Sequence, residues 1–228
     1  MIDYRQFRLS RLNEPQFCHL KMLLFWPAFG ISFYALERLI PRMYHPVHCA
    51  LDDVIPFEEI FLIPYLFWFV FLIGSHVYTA FADIGAFRRL MQFVMITYGF
   101  SLLIYMIWPT CQNLRPAVFP RDNVLTRFMA AFYAFDTNTN VCPSLHVCGS
   151  FAAAFAFTDT RRFSGKIWKT VIFSIAILIS VSTVFVKQHS AIDMFCGLLL
   201  SGVAWFAVYV LPEKRNAKRP CQEGILVV

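Results

Sequence analysis

Charge is scarce in this chain: Asp, Glu, Lys and Arg make up 15% of 228 residues, against about 25% in soluble globular domains. Glycine is scarce too, with 9 residues, and there are no glycine-rich linkers, internal repeats or low-complexity tracts. These shortages exclude an ordinary water-exposed surface and a chain of tethered modules. A small-residue cleavage site is missing after the first apolar run, so that run is expected to be a retained helix and not a signal peptide. Net charge is +6, but the basic residues sort by loop and form no stripe interleaved with aromatics, which excludes a nucleic-acid partner.

What is present is apolar. Hydrophobic residues make up 58% and Phe alone accounts for 26 positions. A bilayer core takes about 20 mostly apolar residues per helix, and apolar runs cover residues 20–40, 57–81, 90–108, 143–158, 167–186 and 191–211. The expected fold is all-α, a polytopic integral membrane bundle of six helices. The longest interruption, 109–142, leaves no room for a second folded unit, so residues 1–228 are expected to form one domain. Four segments, the N-terminus, 81–89, 159–169 and the tail after Pro212, hold fourteen of the twenty Lys and Arg. By the positive-inside rule those segments and both termini are cytoplasmic, and the alternate loops face outward.

On that outward side lie Arg115, Ser144, His146, Lys187, His189 and Asp193. Within "KQHSAID", His189 and Asp193 are four residues apart and share a helical face if the last helix begins near Lys187. A carboxylate that fixes the imidazole tautomer leaves a nucleophile or base; the plainer reading is a structural polar pair at an interface. Within "CPSLH", Pro143 suits a first helical turn. The free N–H groups there and the Ser144 hydroxyl suit a phosphate, with His146 placed to protonate a leaving oxygen. The same residues also serve as a plain helix cap. In "NLRP", Arg115 offers a planar fork for phosphate oxygens.

Together, Arg115-Pro116, Pro143-Ser144-Leu145-His146 and Ser182 with His189 and Asp193 resemble the ordered motifs K-x6-R-P, P-S-x-H and S-R-x5-H-x3-D of the type 2 phosphatidic acid phosphatase superfamily. The resemblance covers about 108–197. It implies a six-helix membrane core and a lipid phosphatase that hydrolyses a lipid phosphate or diphosphate at the outer membrane face. His189 would attack phosphorus to give a phosphohistidine, Asp193 would orient it, and His146 would act as general acid. Arg115 and Ser144 would hold the phosphate, with no metal or cofactor required. Two family cations are absent, replaced by Trp108 and Thr183. Lys187 is expected to return one positive charge, and Arg121 or Arg127 another.

The stretch "STVFVKQHSAID" looks closer to a divergent branch that includes inositol phosphorylceramide and sphingomyelin synthases. A lipid phosphotransferase is therefore the second reading, and a proton or ion transporter or an inactive scaffold a more distant one. Cys142, His146 and Cys148 match no usual zinc framework. Cys111 and Cys142 bracket the outer loop and would pair if that face is oxidising.

Overall fold

The computed structural model describes residues 4–38 and 43–211. The basic tail and the end of the first expected span lie outside the described residues. Eight α-helices organise the rest: α1 (Phe25–Arg38), α2 (Ala50–Val54), α3 (Leu62–Ala82), α4 (Ile84–Ile107), α5 (Val124–Phe135), α6 (Leu145–Asp159), α7 (Lys166–Phe185) and α8 (Ala191–Trp205). Two-residue strands β1 (His45–Pro46) and β2 (Thr110–Cys111) pair in parallel. The chain is thus mostly helical, as expected.

Four of the six expected spans appear as long apolar helices. Among the described residues, four helical stretches are long and apolar enough to cross a bilayer: Glu59–Ala82, Ile84–Ile107, Lys166–Phe185 and Ala191–Val210. α6 has 15 residues, about 22 Å of helix at 1.5 Å per residue, short of a hydrocarbon core of about 30 Å. Cys18–Leu24 winds as a 3₁₀ helix that runs directly into α1. Ser144 caps the start of α6 and Thr160 ends it, within two residues of the expected run 143–158.

α6 is the hub, packed against α3, α4, α7 and α8. Its composition explains the position: Ala152, Ala153, Ala154 and Ala156 are fully buried, and a helix apolar on every side is one surrounded by protein. Small residues let the neighbours close in. A Cβ on Gly149 would lie 2.6 Å from Tyr98 Oη and 2.9 Å from Trp68 Nε1, and one on Gly197 of α8 would lie 2.9 Å from Val147 Cβ. The exposed residues on the outer helices are large and apolar, as on α8, where Phe195, Leu199 and Val203 recur every four residues. That stripe needs an apolar solvent, and these four apolar stretches fit a membrane protein.

α3 and α4 are joined through Asp83, which ends one helix and caps the next by accepting the Ala86 N–H at 3.0 Å. Arg89 and Asp159 pair at 2.6 Å, tying the start of α4 to the end of α6. The starts of α3, α6 and α8 and the end of α7 meet at the other end of the bundle, where the polar constellation lies.

Candidate active site

His189 precedes α8 instead of lying on it. Ser190 is the N-cap: its hydroxyl accepts the Ile192 N–H at 3.2 Å, while Asp193, three residues on, accepts the Ser190 N–H through Oδ2 at 2.9 Å. This capping box holds both groups and satisfies two helix-start donors. The same Asp193 oxygen lies 3.4 Å from His189 Nδ1, close enough for charge stabilisation, without the angle of a hydrogen bond. The expected pairing is present, but a helix cap creates it, where the sequence suggested a shared helical face.

His146 stands in the first turn of α6, with its ring 5.5 Å from that of His189 at 66°. Tyr65 stacks on it at 4.6 Å and Trp68 packs at 4.4 Å. Both histidines line one cavity of about 280 Å³, with Gln188 and Asp136 on its wall. Ser144 is fully buried and is the N-cap of α6, its hydroxyl 3.5 Å from the Val147 N–H it accepts. Pro143 accordingly sits before the cap and not in the first turn; its carbonyl accepts the Tyr105 hydroxyl at 2.5 Å. The Ser144 N–H donates to the Asp193 carbonyl at 3.1 Å, which joins the two motif-bearing segments directly.

Arg115 belongs to a second layer. Nε and Nη2 both donate to Gln188 Oε1, at 3.1 and 2.6 Å. Nη1 donates to the carbonyls of Tyr133 and Asp136, Nη2 also to that of Thr137, and the guanidinium lies 4.5 Å over the Tyr133 ring. All five donors of the fork are engaged within the protein. What they hold is Gln188, whose amide donates to Asp136 Oδ2 at 3.0 Å. Burial pushes the Asp136 carboxyl above its ordinary range, against the pull of the Arg115 guanidinium.

Lys187 has φ 53, a left-handed conformation that costs a non-glycine residue on the order of 1–3 kcal/mol. Its ammonium donates to the carbonyls of Asp52 and Ile55, at 2.8 and 2.5 Å. The structure therefore does not bring Lys187 to the cavity wall, where a replacement phosphate cation was expected. Arg121 is bound to Glu58 and Glu59, and Arg127 to Asp122. At the two positions of missing cations, Trp108 is 56% exposed and stacks on His45, and Thr183 is buried with its carbonyl accepting the N–H groups of Gln188 and His189. Cys111 and Cys142 are free thiols.

Sequence reasoning missed Gln188, Asp136 and Asn140; Glu37 it placed at the end of the first span, paired with water or the interface. Glu37, at the end of α1, accepts from the Thr139 hydroxyl at 2.7 Å and also from Thr137 and Asn140. It thereby shapes the strip 137–140 that forms part of the cavity wall. Only the position of Gln188 beside His189 was available as a signal; the others arrive from distant segments.

Comparison with known proteins decides the family. A family model, the PAP2 superfamily, matches residues 89–217, more than half of the chain. The chain belongs to the PAP2 superfamily. Membership implies phosphatase or phosphotransferase chemistry on phosphate esters and fits a membrane setting. The matched stretch spans Arg115, Ser144, His146, His189 and Asp193. An uncharacterized protein of Methanocaldococcus jannaschii is 30% identical over 90 residues, 40% of this chain and 34% of that protein. The alignment thus spans about a third of that relative's length. No solved structure matches.

Proposed function

We propose that this chain is a membrane lipid phosphatase that hydrolyses a lipid phosphate or diphosphate through a phosphohistidine on His189. The observation that carries the reading is the shared cavity: the rings of His189 and His146 lie 5.5 Å apart across it, with Asp193 behind His189. A phosphoryl group seated in the cavity beside both rings meets an attacking nitrogen from His189 and a proton donor from His146.

With Nδ1 facing Asp193, His189 uses Nε2 to attack phosphorus. The P–N bond forms as the P–O bond to the lipid alcohol breaks, and His146 passes its proton to the departing oxygen. Water then gives a proton to His146 and attacks phosphorus, the P–N bond breaks, and phosphate leaves. Asp193 stabilises the positive charge on His189 in the first step. The first-turn N–H groups of α6 hold the equatorial oxygens, and Ser144, buried as the helix cap, fixes that turn. Arg115 contributes by orienting Gln188, whose amide has one N–H on Asp136 and a second for the phosphate. The reaction takes place at the outer membrane face, a placement that rests on the basic residues gathered at the opposite end of the bundle.

A lipid phosphotransferase is the second reading, and one observation favours it. The cavity wall carries Asp136 and Asn140, whose Oδ1 is buried without a donor, and no Lys or Arg among its described residues. Hydrogen-bond acceptors suit a hydroxyl better than a second phosphate. The test is to incubate purified protein with phosphatidic acid, a polyprenyl diphosphate and head-group-bearing phospholipids, with and without a lipid alcohol. Inorganic phosphate from the first two supports the phosphatase. A new head-group lipid formed only with the alcohol replaces it with the transferase, and turnover unchanged by His189→Ala contradicts both.

A further inference from the structure

The structure assigns Asp52, in the segment between α1 and α3, as a positioning residue for His189. The assignment rests on the reading of His189 as the nucleophile. Asp52 is 3% exposed and lies 137 positions before His189 in the chain, outside the stretch that the family model matches. α2 nevertheless delivers its carboxylate to the start of α8, where Oδ1 accepts the Ala191 N–H at 2.8 Å and Oδ2 accepts the Ser190 hydroxyl at 2.6 Å.

The Ser190 bond is the consequential one. Once the hydroxyl proton points at Asp52, the Ser190 oxygen presents lone pairs to the Ile192 N–H. The cap is then fixed, and with it the Ser190 N–H that holds Asp193 Oδ2 in place beside His189 Nδ1. A single file of contacts runs from Asp52 through Ser190 and Asp193 to the His189 ring. α2 is itself braced, because Asp52 Oδ2 also accepts the Cys49 N–H at 2.8 Å. Two carboxylates at one helix start are further stabilised by the positive end of the α8 dipole.

The backbone around His189 is tied to the same segment. Lys187, in its left-handed conformation, reaches back to the carbonyls of Asp52 and Ile55, and its own carbonyl accepts from Gln112 Nε2 at 2.9 Å. Tyr133 donates its hydroxyl to the Val186 carbonyl at 2.6 Å. The turn from Val186 to Ser190 is therefore set by side chains and carbonyls of other segments more than by its own sequence. The first interhelical segment becomes part of the active-site scaffold, and the ammonium of Lys187 holds that segment instead of a phosphate.

The test compares wild type, Asp52→Ala, Ser190→Ala and the double variant, with Asp53→Asn as control because Asp53 is exposed on the same helix and bonds to His48. With the best lipid phosphate, each single variant is expected to lower kcat by about ten- to a hundredfold with KM within about twofold, as loss of a supporting contact does. Because the two residues act in one file, the double variant should be no slower than about the slower single. Multiplying effects, or a normal kcat per folded molecule with only a lower yield, would overturn the assignment. A second readout needs no turnover: in ¹⁵N-histidine-labelled protein, with the His189 signal identified through His189→Ala, Asp52→Ala should shift the His189 ring resonances. Unchanged resonances would equally overturn it. Failure of the phosphatase reading shows separately, as wild-type turnover that His189→Ala leaves intact.

Discussion

His189 and His146 divide the proposed reaction, and their variants should fail in different ways. His189→Ala should lower kcat by about a thousandfold or more, because it removes the attacking nitrogen. His146→Ala should cost about 10²–10⁴ with a lipid alcohol as leaving group. Its loss with an aryl phosphate, whose leaving oxygen needs no proton, should be much smaller; equal losses on the two substrates would remove His146 from the general-acid role. Arg115→Lys tests the second layer: an ammonium cannot reproduce five donors that orient Gln188. We expect kcat to fall about tenfold or more, with Gln188→Ala giving a similar loss. The residues legible in the sequence were those on short, ordered motifs, His146, His189 and Asp193. Asp136, Glu37 and Asp52 were not, since each gains its meaning from a partner far away in the chain.

At the scale of elements, the helix starts do the positioning. Ser144 and Ser190 cap α6 and α8, and Asp52 and Asp193 converge on the second cap. Burial opposes the Asp52 charge, but hydrogen bonds from Ser190, Ala191 and Cys49 outweigh it and hold the carboxyl below its ordinary range. A depressed carboxylate contributes stability that is complete above the unfolded value and is lost as pH falls through the folded value. The thermal midpoint of wild type should therefore exceed that of Asp52→Asn at about pH 6, and the gap should shrink on acidification below about pH 4. A gap that widens on acidification would contradict the sign. The packing of α6 gives a second expectation. A methyl at Gly149 meets Tyr98 Oη and Trp68 Nε1, so Gly149→Ala should destabilise by about 1–3 kcal/mol, read as a lower midpoint in detergent. Apolar runs showed where the helices are. Where α6 begins is set by the Ser144 cap, two residues after its apolar run starts.

For the whole molecule, the account joins three observations: a PAP2 motif core, four helical stretches able to cross a bilayer, and one cavity at the bundle end remote from most basic residues. The helical class and the motif order were readable from sequence. The reason residues 143–158 are apolar was not, since α6 owes its apolar character to burial among neighbours. The central claim is that phosphorus passes through His189. Purified protein mixed briefly with ³²P-labelled lipid phosphate, then denatured, tests it most directly. The account predicts an alkali-stable, acid-labile label on the peptide bearing His189 in wild type and none in His189→Ala. Turnover in wild type without a trapped label at His189, or a label that persists in His189→Ala, would contradict it.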